Sequence, residues 1–469
     1  MKVVLIQSRA SASSWDSEFH STPSTSRFCE PLQLGYIGAV LKKEGREAKI
    51  IHQVNQSKKQ VIDDILEFSP DVVGFSIMTF ERQSAFDIAR GLPNIKKVFG
   101  GADANANPEL LIMEDVVDFL IMGEGEYSFT DLLKVLETGS NDYDSISGLV
   151  YKKDGWIHQN TPERITNLDA LPLPSRDGLD MTLYKEFTPS TIPYSKQRFS
   201  SIINSRGCPH HCNFCQNENL WQSRKISRSV EGIVNEIEYL QKTYDSNLIW
   251  FWDPNPSKKD LADISNELIR RNVKVKWHCF YNPVDADLSL LQLMHDAGCE
   301  MINSGIESGC NSRLAEMRKA TTIQQTAKSI GIAHSAGLFQ HGSYMVGYPD
   351  ESKEEFLESF RVFKSFGLDS AVFYFVTPLK GTSFHSFCEK KGLIVETNPD
   401  YYDLSHPVIK TKLSEELGKQ KYQDLLSWCY KNFYDKDWLR RAEHSSHREN
   451  LMNFAKIVER RYNLDFSEV

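Results

Sequence analysis

The sequence predicts an α/β protein with an N-terminal parallel-sheet domain, a partial barrel and a helical C-terminal cap. Two observations lead to this fold class. Short apolar runs alternate with amphipathic helical patterns, which is typical of parallel strands covered by helices. The alternation pauses at a proline-rich stretch, Leu171–Pro174, and then restarts with longer units. A chain of 469 residues fits about three domains of ordinary size.

Residues 1–140 are predicted to form a doubly wound domain with a five-stranded parallel sheet. Ligands of such sheets bind beyond the carboxyl ends of the strands. Several of these strands end in small residues, which let a ligand approach the backbone. Ordinary strand-to-helix turns show the same small residues, so the pattern leaves both interpretations open. The predicted strands are Val3–Gln7, Ala48–His52, Asp71–Ser76, Lys97–Phe99 and Val117–Met122, and the predicted helices are Leu34–Lys43, Lys58–Phe68, Arg82–Arg90, Pro108–Glu114 and Tyr127–Leu136.

Residues 141–195 are predicted to connect this domain to the next one. Lys153–Gly155 lie between two apolar runs and indicate a hairpin, and Leu171–Pro174 is typical of a linker. Residues 196–395 then contain six strand–helix units. They predict a partial, TIM-like (β/α)6 barrel whose chemistry lies at the carboxyl ends of its strands. The predicted strands are Phe199–Asn204, Leu248–Trp252, Lys274–Phe280, Glu300–Ile306, Leu338–Val346 and Ser370–Val376.

Residues 396–469 predict a helical cap on the barrel. Two stretches, Leu413–Tyr434 and Trp438–Tyr462, are charged and helical in pattern. A cluster of aromatic residues in the first stretch supplies an apolar face that can pack on another element.

Composition and charge exclude several classes of protein. Lys and Arg total 54 against 63 Asp and Glu, which gives a net charge of −9. No basic domain is therefore expected to bind nucleic acid through counterion release. No apolar run approaches the ~18 residues of a membrane span. The apolar segment after Lys2 is a buried strand rather than a signal peptide, so we expect a cytoplasmic protein whose nine cysteines are reduced.

The strongest chemical signal is the segment Cys208-Pro-His-His-Cys212-Asn-Phe-Cys215. Three thiolates at this spacing on one loop can bind a soft metal centre, either zinc or an iron–sulfur cluster. A structural zinc site needs a fourth ligand, which His210 or His211 could supply. An iron–sulfur cluster with three protein ligands instead leaves one iron open to another molecule. The position of the loop at the catalytic rim of the barrel favours the cluster.

This segment and its surroundings resemble the radical S-adenosylmethionine (SAM) superfamily. The resemblance rests on Arg206-Gly207 before the cysteines, on Phe214 and on four later segments. It implies that Cys208, Cys212 and Cys215 hold a 4Fe-4S cluster whose open iron binds SAM, and that reductive cleavage of SAM gives a 5′-deoxyadenosyl radical. The later segments are Ala297–Glu300, Gly305–Gly309, Met345–Pro349 and Thr377–Thr382.

The same resemblance indicates four residues for contact with SAM, namely Phe214, Asp253, Glu307 and Ser308. Glu307 ends a barrel strand, where its carboxylate could accept hydrogen bonds from ribose hydroxyls; the alternative is an exposed strand-end residue. Asp253 ends the second barrel strand and fits either the ammonium of SAM or a helix N-cap. Phe214 fits either stacking on adenine or a place in the core.

The first domain is similar to the cobalamin-binding domains that are fused to radical SAM barrels. The chain has no Asp-x-His-x-x-Gly segment, so the resemblance implies that cobalamin binds without a histidine ligand. The alternative is a vestigial domain that only binds substrate or packs on the barrel. The similar segments are Gly35–Gly45, Pro70–Ser76, Phe99–Asp103 and Asp118–Glu126. The implied corrin contacts are Ser76, Thr79, Gly100, Gly101 and Glu124.

Together the resemblances imply an oxygen-sensitive enzyme that cleaves SAM, abstracts hydrogen from a small-molecule substrate and methylates its carbon with the help of cobalamin. The implied partners are that substrate and a reductant protein such as flavodoxin or ferredoxin, without a membrane or nucleic acid. Two alternatives stay open: a radical cyclisation or rearrangement, with or without cobalamin, and a zinc-stabilised binding protein without activity. Cys29, in a long loop over residues 8–31, is the one candidate for a catalytic thiol.

Overall fold

The computed structural model describes residues 1–10, 29–184, 198–221 and 223–445, together with residues 447–449, 451–452, 455–456 and 459. Within these ranges the chain forms two large sheets covered by helices and a helical segment that packs on the second sheet. The predicted α/β fold class is confirmed. Most of the predicted loop over residues 8–31 and the end of the last predicted helix lie outside the described residues. No helix in the described part is long and apolar enough to cross a membrane.

The first sheet has seven strands. They are β1 (Lys2–Gln7), β2 (Glu47–His52), β3 (Val72–Ser76), β4 (Lys96–Gly100), β5 (Phe119–Ile121), β6 (Leu149–Lys153) and β7 (Trp156–Gln159). Its helices are α1 (Leu32–Lys43), α2 (Lys58–Phe68), α3 (Arg82–Arg90), α4 (Ala102–Ala106), α5 (Pro108–Ile112) and α6 (Gly125–Thr138). The five predicted strands pair in parallel in the order β2-β1-β3-β4-β5, and the predicted hairpin β6-β7 joins the β5 edge. The order reverses between β1 and β3, and ligands of such sheets bind at this reversal.

Local sequence explains where the helices of this domain begin and end, as α2 shows. Ser57 and Gln60 form a capping box that satisfies backbone amides at its start. Val61 and Ile65, four residues apart, bury one face of the helix against the sheet. Ser69 ends the helix in the left-handed conformation with a φ of 54°.

The second sheet is the partial barrel. Its region contains β8 (Phe199–Ile202), β9 (Ser205–Arg206), β10 (Ile226–Ser227), β11 (Leu248–Phe251), β12 (Lys276–Phe280), β13 (Cys299–Glu307), β14 (Phe339–Val346) and β15 (Ser370–Phe375). The helices are α7 (Asn217–Trp221), α8 (Val230–Tyr244), α9 (Lys258–Arg270), α10 (Leu288–Asp296), α11 (Asn311–Glu316), α12 (Ile323–Ser335), α13 (Lys353–Ser365) and α14 (Ser383–Lys390). Six strands pair in parallel in the order β8-β11-β12-β13-β14-β15, so the sheet does not close and β8 and β15 are its edges.

The C-terminal cap covers the β15 edge. The Tyr434 hydroxyl accepts a hydrogen bond from the Ala371 amide and donates one to the Ala371 carbonyl, each at 2.8 Å. Trp438 Nε1 donates to the Asp369 carbonyl at 2.9 Å. Aromatic side chains therefore satisfy backbone groups that a further strand would otherwise pair. The cap helices are α15 (Lys412–Leu417), α16 (Lys419–Gln423), α17 (Leu425–Phe433) and α18 (Lys436–His444).

The predicted helical stretch Leu413–Tyr434 consists of three helices, α15, α16 and α17. Gly418 lies between α15 and α16 with a φ of 77°, a conformation outside the helical region. The apolar periodicity continues across this break, so the pattern alone does not show it.

The β8 edge is covered by a buried ion pair from the N-terminal part of the chain. Glu30 and Arg176 are 3.3 Å apart, and each side chain is 1% exposed. The Glu30 carboxylate accepts from the Ser201 amide at 3.1 Å, and Arg176 Nη2 donates to the Ser201 carbonyl at 2.9 Å. The pair thus occupies both backbone groups of Ser201 at the open edge of the barrel.

We predict that Arg176→Met lowers the free energy of unfolding by about 3–5 kcal/mol, because it leaves the Glu30 carboxylate buried without a cation. Chemical denaturation measures the loss. The double variant Glu30→Met/Arg176→Met should recover much of it, since both charges are then removed. Lys42→Met breaks the exposed pair with Asp177 and is the matched control. It should leave the free energy of unfolding unchanged. An Arg176→Met protein as stable as the wild type would contradict this role.

Candidate active site

Two cavities meet at the carboxyl ends of the two sheets. The barrel cavity, of about 330 Å³, is lined by side chains of β11 to β15 and by the cysteine loop. The sheet cavity, of about 710 Å³, lies beyond the ends of β3, β4 and β5. Trp252, Pro254 and Phe280 contribute to the walls of both. The two cavities therefore adjoin, and molecules in them could reach each other.

Backbone constraints fix the loop that carries the cysteine motif. Gly207 follows β9 with a φ of 91°, and a Cβ at this position would lie 2.1 Å from the Arg224 carbonyl oxygen. Only glycine fits here. Further along the loop, the backbone amide of Asn213 donates to the Met317 carbonyl at 3.0 Å. The side-chain amide of Asn213 donates to the Tyr348 hydroxyl at 2.8 Å.

Cys208, Cys212 and Cys215 all line the barrel cavity. Burial raises the pKa of Cys212 to about 11, against the opposing effect of the nearby Lys319 ammonium. A metal centre would bind these side chains as thiolates and release their protons. No three His, Cys, Asp or Glu side chains in the described residues are grouped to hold a single metal ion. A 4Fe-4S cluster does not require such a group, because each cysteine binds a different iron.

Glu307 faces the cysteine loop across the barrel cavity. Its Oε1 lies 3.1 Å from Lys319 Nζ, and its Oε2 accepts from the Ser343 hydroxyl at 3.1 Å. Its φ of 65° and the shift of register between Gly305 and Glu307 mark a strained strand end. A Cβ on Gly305 would lie 2.4 Å from Glu307 Oε1. The glycine therefore makes room for the carboxylate to fold back over the strand.

The structure brings only part of the predicted SAM set to the cavity wall. Phe214 lines the barrel cavity and also packs against a small core cluster that includes Met317, so both interpretations of it fit. Asp253 is fully buried and lies 3.1 Å from Lys225 Nζ, away from the cavity wall. Its interpretation as a helix N-cap is wrong, because Ser257 caps α9. Ser308 likewise turns into the barrel wall, where its hydroxyl lies 3.0 Å from the Ser359 hydroxyl.

Four of the five residues predicted to contact the corrin line the sheet cavity, namely Ser76, Gly100, Gly101 and Glu124. The fifth, Thr79, does not line it, and its hydroxyl donates to Asp103 Oδ1 at 3.0 Å. No histidine is found among the described residues that line this cavity. The wall is mainly backbone, glycine and apolar side chains, which suits a large and mostly apolar ligand.

Arg206 lines the sheet cavity and was not singled out as a site residue from the sequence. Its guanidinium contacts Glu124 Oε1 at 2.6 Å and also Glu126, and both carboxylates follow β5 of the first sheet. The guanidinium lies over the Tyr36 ring, with its carbon 5.1 Å from the ring centroid. Arg206 is the second residue before Cys208, so the cysteine loop is tied directly to the first sheet. The acidic run Gly123–Glu126 was the one signal in the sequence that could have suggested such a partner.

Cys29 lines the barrel cavity, as a catalytic thiol would have to. Burial raises the pKa of its thiol well above the usual value, and Glu30 adds to this effect. A thiol in this environment stays protonated at neutral pH, so it is a poor nucleophile. Sequence reasoning missed Lys319 as the partner of Glu307 and missed His341 and Trp250, which also line the cavity.

Comparisons with known proteins agree with this architecture. Residues 202–363 match the model of the radical SAM superfamily, and residues 25–133 match that of the B12 binding domain. An uncharacterized methyltransferase of Pyrococcus horikoshii is 30% identical over 416 residues, which cover 86% of this chain and 87% of that protein. The chain belongs to the radical SAM superfamily. It is an enzyme of the group that joins a B12-binding domain to a radical SAM domain, so the alternative of a zinc-stabilised protein without activity is wrong.

Solved structures of this superfamily share the fold. The radical SAM methyltransferase TsrM from Kitasatospora setae, solved with cobalamin and a [4Fe-4S] cluster, matches with a TM-score of 0.67 at 17% identity and covers 85% of this chain and 80% of its own. The cobalamin-dependent SAM radical enzyme OxsB, solved with aqua-cobalamin and SAM, matches with a TM-score of 0.72 at 17% identity and covers 99% and 71%. At 17% sequence identity, this similarity is evidence for the fold alone.

We predict that Arg206→Lys lowers the free energy of unfolding by about 1–3 kcal/mol, because a single ammonium cannot bind both Glu124 and Glu126 and stack on Tyr36. Chemical denaturation of the full chain measures the loss. Arg198→Lys serves as the control, since Arg198 pairs at the surface with one carboxylate, Asp245. Equal losses in the two variants would show that Arg206 does not bridge the sheets.

Proposed function

We propose that the enzyme reductively cleaves SAM, abstracts a hydrogen atom from an unactivated carbon of a small molecule and methylates that carbon with cobalamin. The observation that carries this proposal is the pair of adjoining cavities, one with three thiols at its rim and the other at the carboxyl ends of a B12-binding sheet. The methyltransferase of Pyrococcus horikoshii, related over most of both chains, supports methylation as the outcome. A protein such as flavodoxin or ferredoxin would supply the electron.

Cys208, Cys212 and Cys215 are the proposed ligands of a 4Fe-4S cluster. The donor set fits, because thiolates are the usual ligands of such clusters and all three line one cavity. The bound cluster would supply the electron that breaks a carbon–sulfur bond of SAM. Gly207 lets the loop pass close to the Arg224 carbonyl, and the backbone hydrogen bonds of Asn213 hold the loop in place.

Glu307 and Phe214 are the proposed contacts to SAM. The Glu307 carboxylate is held in place by Lys319 and Ser343, so it is preorganised to accept hydrogen bonds from ribose hydroxyls. Phe214 offers its ring as an apolar wall beside the cysteines. Asp253 and Ser308 lie behind the wall, and we propose that they support the strand ends through Lys225 and Ser359.

Cobalamin is proposed to bind in the sheet cavity, where it would supply the methyl group. Ser76, Gly100 and Gly101 line this cavity, and a Cβ on Gly100 would meet only the Ile121 carbonyl oxygen, at 3.4 Å. The backbone there is open to a flat ligand. The Glu124 carboxylate is already bound by Arg206 and Arg164, so we propose that it positions the cavity wall rather than the ligand.

The function is tested by incubating the anaerobically reconstituted full chain with SAM, cobalamin and a chemical reductant, and by quantifying nucleoside products. We expect both 5′-deoxyadenosine, from radical cleavage, and S-adenosylhomocysteine, from transfer of the SAM methyl group to the added cobalamin. The variant with Cys208, Cys212 and Cys215 changed to Ala should lose iron and 5′-deoxyadenosine formation. Cys310→Ala, at the start of α11 and outside both cavities, should retain both.

The products also separate the remaining alternatives. Formation of 5′-deoxyadenosine without S-adenosylhomocysteine would favour radical cyclisation or rearrangement over methylation. Iron-loaded protein that yields no 5′-deoxyadenosine would contradict the proposed hydrogen abstraction.

We predict that Gly305→Ala weakens SAM binding by about ten-fold, because the added Cβ would lie 2.4 Å from Glu307 Oε1 and 2.8 Å from Lys319 Nζ and displace the pair. Equilibrium binding to cluster-loaded protein measures the effect, and iron content should not change. Gly331→Ala, in α12 with no atom within 4 Å of the added Cβ, is the control. Unchanged SAM affinity in Gly305→Ala would argue against Glu307 as the ribose ligand.

A further inference from the structure

The barrel cavity continues below the level of Glu307. Inward-facing side chains alternate along β14, so Ser343 and His341 both line the cavity while Gly342 between them does not. Ser343 bonds Glu307, and His341 lies two residues earlier, about 7 Å deeper along the strand. Trp250 of β11 lies deeper still by strand register. It pairs with His278, two residues before Phe280, and Phe280 is level with His341 through Asn303. We call this lower part of the barrel cavity the deep end.

Two polar groups at the deep end are buried and lack a hydrogen-bond partner among the described residues. They are His341 Nε2 and Trp250 Nε1, in side chains that are 1% and 5% exposed. His341 Nδ1 is 2.8 Å from the Ser370 hydroxyl, so the ring is oriented and Nε2 is its nitrogen without a partner among the described residues. Buried polar groups without partners are rare in folded proteins, and a ligand is one of the explanations for them.

The surroundings of these two groups are aromatic and uncharged. The rings of Trp250, Trp252 and Phe280 pack together with centroids 5.4 to 5.9 Å apart. Tyr374 completes the aromatic wall. Burial lowers the pKa of His341 to about 3, so its imidazole is neutral at physiological pH. The one ion pair among the described cavity walls, Glu307 with Lys319, lies nearer the cysteines and is satisfied internally.

On the basis of the proposed function, we infer that the deep end binds the substrate. The bound part of the substrate is an uncharged aromatic ring. It carries a hydrogen-bond acceptor for Trp250 Nε1 and a second polar group for His341 Nε2. Aromatic walls pack flat rings edge-on or offset. An anionic group would find no unpaired cation among the described residues there, and it would have to lose its hydration without compensation. Trp250 and His341 are on strands separated by β12 and β13, so they fix the ring from two sides.

The inference is tested on the anaerobically reconstituted, cluster-loaded full chain with three probes: benzamide, benzoate and ethylbenzene. They share an aromatic ring and differ in carrying a neutral acceptor, an anion or no polar group. Equilibrium dissociation constants are measured by ligand-observed NMR. We expect benzamide to bind at least about ten-fold more tightly than benzoate and more tightly than ethylbenzene.

Two variants of the deep end test where benzamide binds. Trp250→Phe and His341→Phe keep a ring and remove the polar groups, and each should weaken benzamide binding about five- to ten-fold while leaving SAM affinity unchanged. Trp156→Phe, on the exposed hairpin, is the control and should bind benzamide as the wild type does. The comparison of probes on the wild type does not depend on any variant folding.

Benzoate bound as tightly as benzamide, or no saturable binding of benzamide, would overturn the inference. So would variants that weaken SAM binding and spare benzamide, because the deep end would then hold part of SAM. A protein that forms 5′-deoxyadenosine but fails these tests leaves the proposed function intact. One that binds benzamide as expected but never cleaves SAM overturns the function and keeps the deep end as a binding site.

Discussion

The open barrel imposes the constraint on which the rest of the structure depends. A six-stranded sheet that does not close has two edge strands with exposed backbone groups. At β8 the buried pair of Glu30 and Arg176 occupies the amide and carbonyl of Ser201. At β15 the hydroxyl of Tyr434 does the same for Ala371. The linker and the cap therefore cover the two edges of the barrel, which lacks the two extra strands of a closed TIM barrel.

Leaving the barrel open allows a second domain to reach its interior. The carboxyl ends of the first sheet face the cysteine loop, and Arg206 joins them by binding two carboxylates that follow β5. The barrel cavity and the sheet cavity share Trp252, Pro254 and Phe280. A group bound in the sheet cavity can therefore approach a molecule bound in the barrel cavity. This geometry suits a reaction in which a radical is generated on one side and quenched by a group transferred from the other.

The sequence predicted the parallel strands of both sheets and the cysteine loop, because strand periodicity and the cysteine spacing are local signals. All five parallel strands of the first domain and all six of the barrel were expected. Long-range contacts were not: nothing in the local pattern pairs Glu30 with Arg176, which are 146 residues apart. Asp253 and Ser308 follow strands as expected, but their side chains turn to Lys225 and Ser359 instead of the cavity. Position at a strand end predicts the neighbourhood of a residue and not its partner.

One chain is proposed to hold an iron–sulfur cluster and cobalamin in adjoining cavities. The most direct measurement quantifies iron, sulfide, zinc and cobalamin in a single sample purified without oxygen from cells supplied with cobalamin. We expect about four irons and four sulfides per chain together with near-stoichiometric cobalamin and no zinc. Zinc without iron after anaerobic reconstitution would contradict the cluster, and iron without cobalamin would contradict the role of the first domain.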